Sequence, residues 1–211
     1  MSEWIGDIYK VNIDELDNPR AVKFANDVVD DDDDKNNTYK RYPYELDRRK
    51  EVVKCGKLAE QAFALFLYKE FGIKVEIDYR VLRGTSNVDK NDIFYLGLNI
   101  DVKSSKDTKN EGIDKCISYF NFPVPVTQTI KDITVSVIYD FDVENFYIIS
   151  WVDSLTYKHN KTTGEFKNEQ SKFNRLPLSK GYKIKDIKII FDEKCKFIDF
   201  IITKKIRLFT L

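Results

Sequence analysis

Histidine occurs once, at His159, so a zinc site or catalytic pair needing two histidines is excluded. That imidazole lies in Lys158-His159-Asn160-Lys161, a polar stretch expected at the surface. The three cysteines, Cys55, Cys116 and Cys195, are odd in number, widely spaced and form no CxxC pair. Neither a disulfide framework nor a structural zinc site follows, and a reducing cytoplasm is the expected location. No run approaches the roughly 20 consecutive apolar residues that a bilayer span needs. The N-terminal MSEWIGDIYK has no basic segment followed by an apolar one, so a soluble chain with no membrane partner is expected. Phosphate-binding sequences of the GxxxxGKS/T and GxGxxG types are missing too, which leaves no support for a nucleotide cofactor.

Net charge is also lacking: the formal sum is zero, which is unpromising for a nucleic-acid partner whose affinity draws on phosphate neutralisation. Distribution qualifies this. Residues 30–34 are five consecutive aspartates, and removing them leaves a basic remainder. Residues 161–211 hold 13 basic and 6 acidic side chains, a surplus that can supply a binding face or simply a solvated one.

What is present is enough for a core. The 211 residues are 42% hydrophobic with 15 Phe and 12 Tyr, which argues for one folded domain rather than disorder. Residues 1–50 are polar and charged and read as an N-terminal extension packed on the core, with an acidic loop at 30–37 and a short helix over 13–29 capped by Asp14. Residues 51–211 form the main domain, with 161–211 as its basic, strand-rich tail. Over 44–71, Val52, Val53, Leu58, Ala59, Ala62, Phe63, Leu65, Phe66 and Leu67 recur at helical spacing, and Gly72 stops the helix. Glu60 falls beside Phe63 and Ala64, near the edge of the buried face. Strands are expected at 73–82, at 92–96 and 98–103 as a hairpin turning at Gly97, at 133–139 and 146–152, and at 184–191 and 196–203. Residues 113–120 read as a short helix, and Trp151 and Tyr147 as core.

The hairpin carries the chemistry. Alternation along its second strand sets Asp101 and Lys103 on one face and Ile100 and Val102 on the other. Asp92 opens the partner strand, so the turn returns two carboxylates toward one another. Close carboxylates repel, and a divalent cation relieves that repulsion. Mg²⁺ takes oxygen ligands, commonly one or two carboxylates plus water and substrate phosphate oxygens. Lys103 either stabilises the phosphoryl charge or acts as a base. Glu60 either joins the metal or accepts a hydrogen bond from its water. Lys54, Lys57, Arg80 and Arg83 flank the constellation as candidate phosphate contacts. A lone D-x-K is common in any lysine-rich chain, so the hairpin context gives it its value.

Three stretches together, Gly56-Lys57-Leu58-Ala59-Glu60-Gln61-Ala62-Phe63, Asn91-Asp92-Ile93-Phe94-Tyr95 and Asn99-Ile100-Asp101-Val102-Lys103-Ser104-Ser105, resemble the PD-(D/E)xK nuclease superfamily. The strands over 133–151 resemble the later core strands of that family. The resemblance implies an α/β, restriction-endonuclease-like core: a mixed central β-sheet flanked by helices. It also implies a Mg²⁺-dependent endonuclease acting on DNA, with Mn²⁺ able to substitute, and assigns Glu60, Asp92, Asp101 and Lys103 as catalytic residues. Glu60, Asp92 and Asp101 would ligate the metal, and Lys54, Lys57, Arg83, Ser104, Ser105 and Lys106 would contact nucleic acid. Asn91 stands where the family has proline, and eight residues separate Asp92 from Asp101, leaving Asp89 as a rival first acid. Restriction or mobile-element cleavage, DNA repair or junction resolution, and non-catalytic nucleic-acid binding are the readings it leaves, and double-strand cleavage implies a homodimer.

Overall fold

The computed structural model describes residues 1–32, 46–81, 92–107, 112–126, 128–165 and 172–192. The chain begins as a short hairpin of β1 (Glu3–Ile5) and β2 (Ile8–Asn12). The Asn12 side chain then accepts the Asp14 N–H at 2.8 Å and caps a 3₁₀ turn over Ile13–Glu15. Leu16 returns to extended backbone, and the helix proper, α1 (Asn18–Asp32), starts behind Asp17, whose Oδ1 accepts the Arg20 N–H at 3.1 Å. The helix expected over 13–29 is therefore two pieces, and Asp14 is not its cap: Asn12 caps the first and Asp17 the second. Of the acidic run, residues 30–32 finish α1, while 33 and 34 lie outside the described residues.

Helix α2 (Leu46–Phe71) matches the periodicity of 44–71 and ends at Gly72, whose φ of +69° favours glycine. Strand β3 (Ile93–Tyr95) and β4 (Leu98–Asp107) then pair across Leu96 and Gly97, at φ +48° and +84°. Positive φ at both central residues is the type I′ pattern, whose twist matches that of paired strands. Of the strand expected over 73–82, the described residues 73–81 form a single bridge, Ile77 to Ile93, and residue 82 lies outside the described residues. Next come α3 (Ile113–Tyr119), β5 (Asn121–Pro125), β6 (Ile133–Asp140) and β7 (Asn145–Asp153). Helix α4 (Ser154–Asn160) is capped by Asp153, which accepts the Leu155 and Thr156 N–H groups, each at 2.9 Å. The described chain closes with β8 (Thr162–Glu165), β9 (Lys172–Pro177), β10 (Tyr182–Lys183) and α5 (Lys188–Asp192).

The strand expected over 184–191 is instead a 3₁₀ turn, Ile184–Ile187, running into α5. Ile184, Ile187 and Ile190 are buried and Ile189 is exposed, so the spacing that decides is three rather than two. The strand expected over 196–203 lies outside the described residues.

The architecture is α/β around a mixed seven-stranded sheet ordered β1-β2-β7-β6-β4-β3, with β10 also paired to β7. Among the described strands of this sheet β4 pairs with β6 in parallel and the other pairings are antiparallel. A second, three-stranded sheet runs β5-β9-β8. The first residues, read from sequence as an extension without strands, thus supply two strands of the main sheet, with β2 laid along β7.

Two apolar layers sandwich that sheet. On one face Leu58, Ala59, Ala62, Phe63 and Phe66 of α2 pack on Ile100, Val102, Ile133, Val135 and Trp151. On the other, Ile138, Ile149 and Val152 meet Cys116, Phe122, Tyr157 and Leu176. Strands β6 and β7 are buried on both faces, which their near-continuous Ile, Val, Tyr and Trp content requires. No helix among the described residues is long and apolar enough to cross a membrane.

Candidate active site

The type I′ turn fixes the register Ile93 to Ile100, which sets Asp92 just beyond the paired residues. The Asp92 carboxylate turns back into the hairpin, where its Oδ2 accepts the Val102 N–H at 2.6 Å. Val102 is the middle residue of the Asp101-Val102-Lys103 triplet. Because Ile100 and Val102 belong to the α2-side core, alternation turns Asp101 and Lys103 to the other face, where Lys103 Nζ lies 2.9 Å from Asp101 Oδ1. Asp101 is 6% exposed. Burial raises the Tyr157 phenol well above its usual range, and the Asp101 carboxylate raises it further, which sets both groups in the same layer. Tyr157 is held there by donating to the Phe122 and Asn174 carbonyl oxygens at 2.7 and 3.0 Å.

Asp92, Asp101 and Lys103 are therefore brought together. Glu60 is placed elsewhere, on the α2 side of the sheet and 5% exposed, where both of its oxygens accept from Lys57 Nζ at 3.0 and 2.7 Å. Lys57 Nζ lies 4.7 Å from the Phe24 ring centre and 5.5 Å from that of Tyr79. Beside this pair Gln61 accepts the Asp17 N–H at 2.7 Å and donates to Asp17 O at 3.0 Å, stitching α2 to the start of α1. Among the described residues, no three or more His, Cys, Asp or Glu side chains are grouped to hold a metal ion. The two acids the hairpin holds are Asp92, on the Val102 amide, and Asp101, beside Lys103; carboxylate oxygens are the ligand type that Mg²⁺ takes. Asp89 lies outside the described residues.

The expected nucleic-acid contacts divide between layers. Lys57 is 2% exposed and inside the α1–α2 interface, so it is not a surface contact for phosphate; it is the buried partner of Glu60. Lys54 pairs with Glu51 at 2.6 Å. Ser104 turns toward α2 and hydrogen-bonds Cys55, whose thiol is raised to about 11 by burial and by Glu51. Lys106 Nζ stands 4.1 Å from the centre of the Phe141 ring. Ser105 shares the face of Asp101 and Lys103, Arg80 pairs with Asp78 at 2.7 Å, and Arg83 lies outside the described residues. His159 sits exposed in the last turn of α4, and Trp151 and Tyr147 are core, as expected.

Sequence reasoning missed a polar strip beside the acid and the amine. The parallel register sets Thr134 next to Asp101 and Ser136 next to Lys103, and β7 adds Ser150 opposite Ser136. The signal was present: Thr134 and Ser136 interrupt the strand Ile-Thr-Val-Ser-Val-Ile-Tyr at a spacing of two. No family model, curated protein or solved structure matches the chain.

Proposed function

We propose that this protein is a Mg²⁺-dependent endonuclease that hydrolyses DNA phosphodiester bonds, built on a restriction-endonuclease-like core of the PD-(D/E)xK superfamily. The observation that carries the reading is the 2.6 Å hydrogen bond from Val102 N–H to Asp92 Oδ2, which draws the second carboxylate onto the Asp101-Val102-Lys103 triplet. Two carboxylates from adjacent strands and a lysine on one of them fit the needs of phosphoryl chemistry. Asp92 and Asp101 would hold the cation, which when bound neutralises phosphoryl charge and acidifies water. The Val102 amide holds Asp92 in place. Lys103, close to Asp101, is positioned to neutralise charge on the scissile phosphate or to take a proton from the attacking water.

The test is cleavage of supercoiled plasmid by the purified protein with Mg²⁺, Mn²⁺ or chelator. Asp101→Asn is expected to lower cleavage by at least about 100-fold, the scale set by losing one preorganised electrostatic group, with the protein still folded at the assay temperature. Undiminished cleavage by that variant would refute the reading. Linear, branched and single-stranded substrates separate restriction or mobile-element cleavage from repair and junction resolution. The second reading, a nucleic-acid-binding protein without catalysis, is favoured by the absence of a three-acid group among the described residues. Calorimetry separates the two: no Mg²⁺ heat with or without DNA upholds binding alone.

A further inference from the structure

The face that bears Asp101 and Lys103 continues as hydroxyls across two further strands. Val135 belongs to the α2-side core, so Thr134 and Ser136 project to the Asp101 side, and Ser150 lies there with Val152. Thr134 is 1% exposed and Ser150 5%, and neither hydroxyl has a hydrogen-bond partner among the described residues. A hydroxyl taken out of water without a partner is destabilising, and valine has the same shape without that cost. The β6 neighbours of Thr134, namely Ile133, Val135, Val137 and Ile138, are apolar and inaccessible, as burial requires. Thr134 does not follow from burial.

Register shows what Thr134 faces. Residues paired in adjacent strands lie about 4.8 Å apart and share a face, so the side chain next to Thr134 in β4 is that of Asp101, an acceptor-only group. A change of χ1 rotamer, or one ordered water held also by the diagonally placed Ser150, brings Oγ1 into hydrogen-bond contact with the carboxylate. Lys103 already lies against Asp101 Oδ1, at 2.9 Å, so a second donor from the β6 side completes the orientation of the group.

We propose that Thr134 is a positioning residue for Asp101: its hydroxyl donates to the Asp101 carboxylate, directly or through one water, and fixes which oxygen faces the divalent cation. The role of the cation rests on the nuclease reading; the link between Thr134 and Asp101 rests on register and burial alone. Thr134→Val removes the hydroxyl at constant shape, and Thr134→Ser keeps it. Over a Mg²⁺ titration of plasmid cleavage, Thr134→Val is expected to need roughly 10- to 100-fold more Mg²⁺ for half-maximal rate. Its rate at saturating Mg²⁺ should change less, and Thr134→Ser should resemble the parent. In chelator, the melting-temperature shifts of Thr134→Val and Asp101→Ala should be non-additive in the double variant, because both remove the same bond. If valine is poorly accommodated, Thr134→Ala carries both measurements. An unchanged Mg²⁺ requirement overturns the proposal, and so do additive melting shifts. If the parent cleaves no DNA, the nuclease reading falls and the melting cycle alone decides: non-additivity upholds the link and additivity overturns it.

Discussion

At the scale of single residues, the Lys57–Glu60 pair carries the sharpest energetic statement. Both side chains are nearly inaccessible, so each charge has been taken out of water and is compensated in part by the other. Glu60→Gln is expected to cost about 3–5 kcal/mol, the scale for removing one partner of a buried ion pair, read as a lower urea midpoint with unchanged m-value. Lys57→Met combined with Glu60→Leu should recover most of that loss, since apolar replacements remove both desolvation costs. This separates two roles for Glu60: an acid needed only for catalysis would lose cleavage in Glu60→Gln while keeping its stability. Helical periodicity placed Glu60 near the edge of the buried face but did not show Lys57 folding over it. An i, i+3 pair reads the same on a solvated surface as in an interface, and only the packing of α1 and Tyr79 over it decides.

At the scale of elements, the hairpin that presents Asp92 and Asp101 is held by a turn with one unfavourable residue. Leu96 has φ +48° and is largely exposed, so it carries the left-handed backbone without a compensating core contact. Leu96→Asn should stabilise the protein by about 0.5–1 kcal/mol, the gain expected when a turn receives the residue its backbone demands; thermal denaturation measures it. The N-terminal hairpin is fastened differently, by Trp4 Nε1 to Glu70 at 2.7 Å and by Glu15 receiving Ser2 and Lys69. Burial raises the Glu15 carboxyl, but its bonds to Lys69 and Ser2 outweigh that and hold it at about 2. A lowered carboxyl stabilises the fold above its ordinary value of 4.5, and that contribution fades as pH falls toward about 2. Glu15→Gln should therefore flatten the stability profile between those limits, measured as urea midpoints from pH 5 downward. An unchanged acid limb would show that the latch contributes nothing.

Legibility also differs by element. Helix α2 could be read from its helical period, β3 and β4 from the turn between them, and β6 and β7 as near-continuous runs of Ile, Val, Tyr and Trp bounded by polar residues. The pairing of Asp92 with the Asp101 strand was legible through the turn at Gly97. Strands β1 and β2 were not, because short, half-polar strands owe their existence to β7 rather than to their own composition. The stretch 73–82 misled for the converse reason: it has strand residues, but among the described residues it makes one bridge, Ile77 to Ile93.

At the scale of the whole molecule, β6 and β7 belong to both apolar layers, so neither layer separates without exposing the back of the other. The two should melt in one transition. Tyr157→Phe deletes the hydroxyl whose one hydrogen is shared between the Phe122 and Asn174 carbonyls, tying α4 to β5 and β9, and should cost about 1–3 kcal/mol. Far-ultraviolet dichroism and tryptophan fluorescence, which senses Trp151 on the opposite face, should shift by the same amount. A separate early transition by either probe would show that the layers are independent.

The parallel pairing of β4 with β6 sets an order on biosynthesis. Antiparallel partners join through a tight turn, but a parallel partner waits for its crossover, and here that crossover includes α3 and β5. As the chain leaves the ribosome, the Asp101-Val102-Lys103 triplet emerges on a strand whose β6-facing edge has no neighbour until residues 133–140 follow. A nascent chain stalled before that point carries the whole motif in its sequence and lacks the wall, Thr134 and Ser136, against which the acid and the amine are seated.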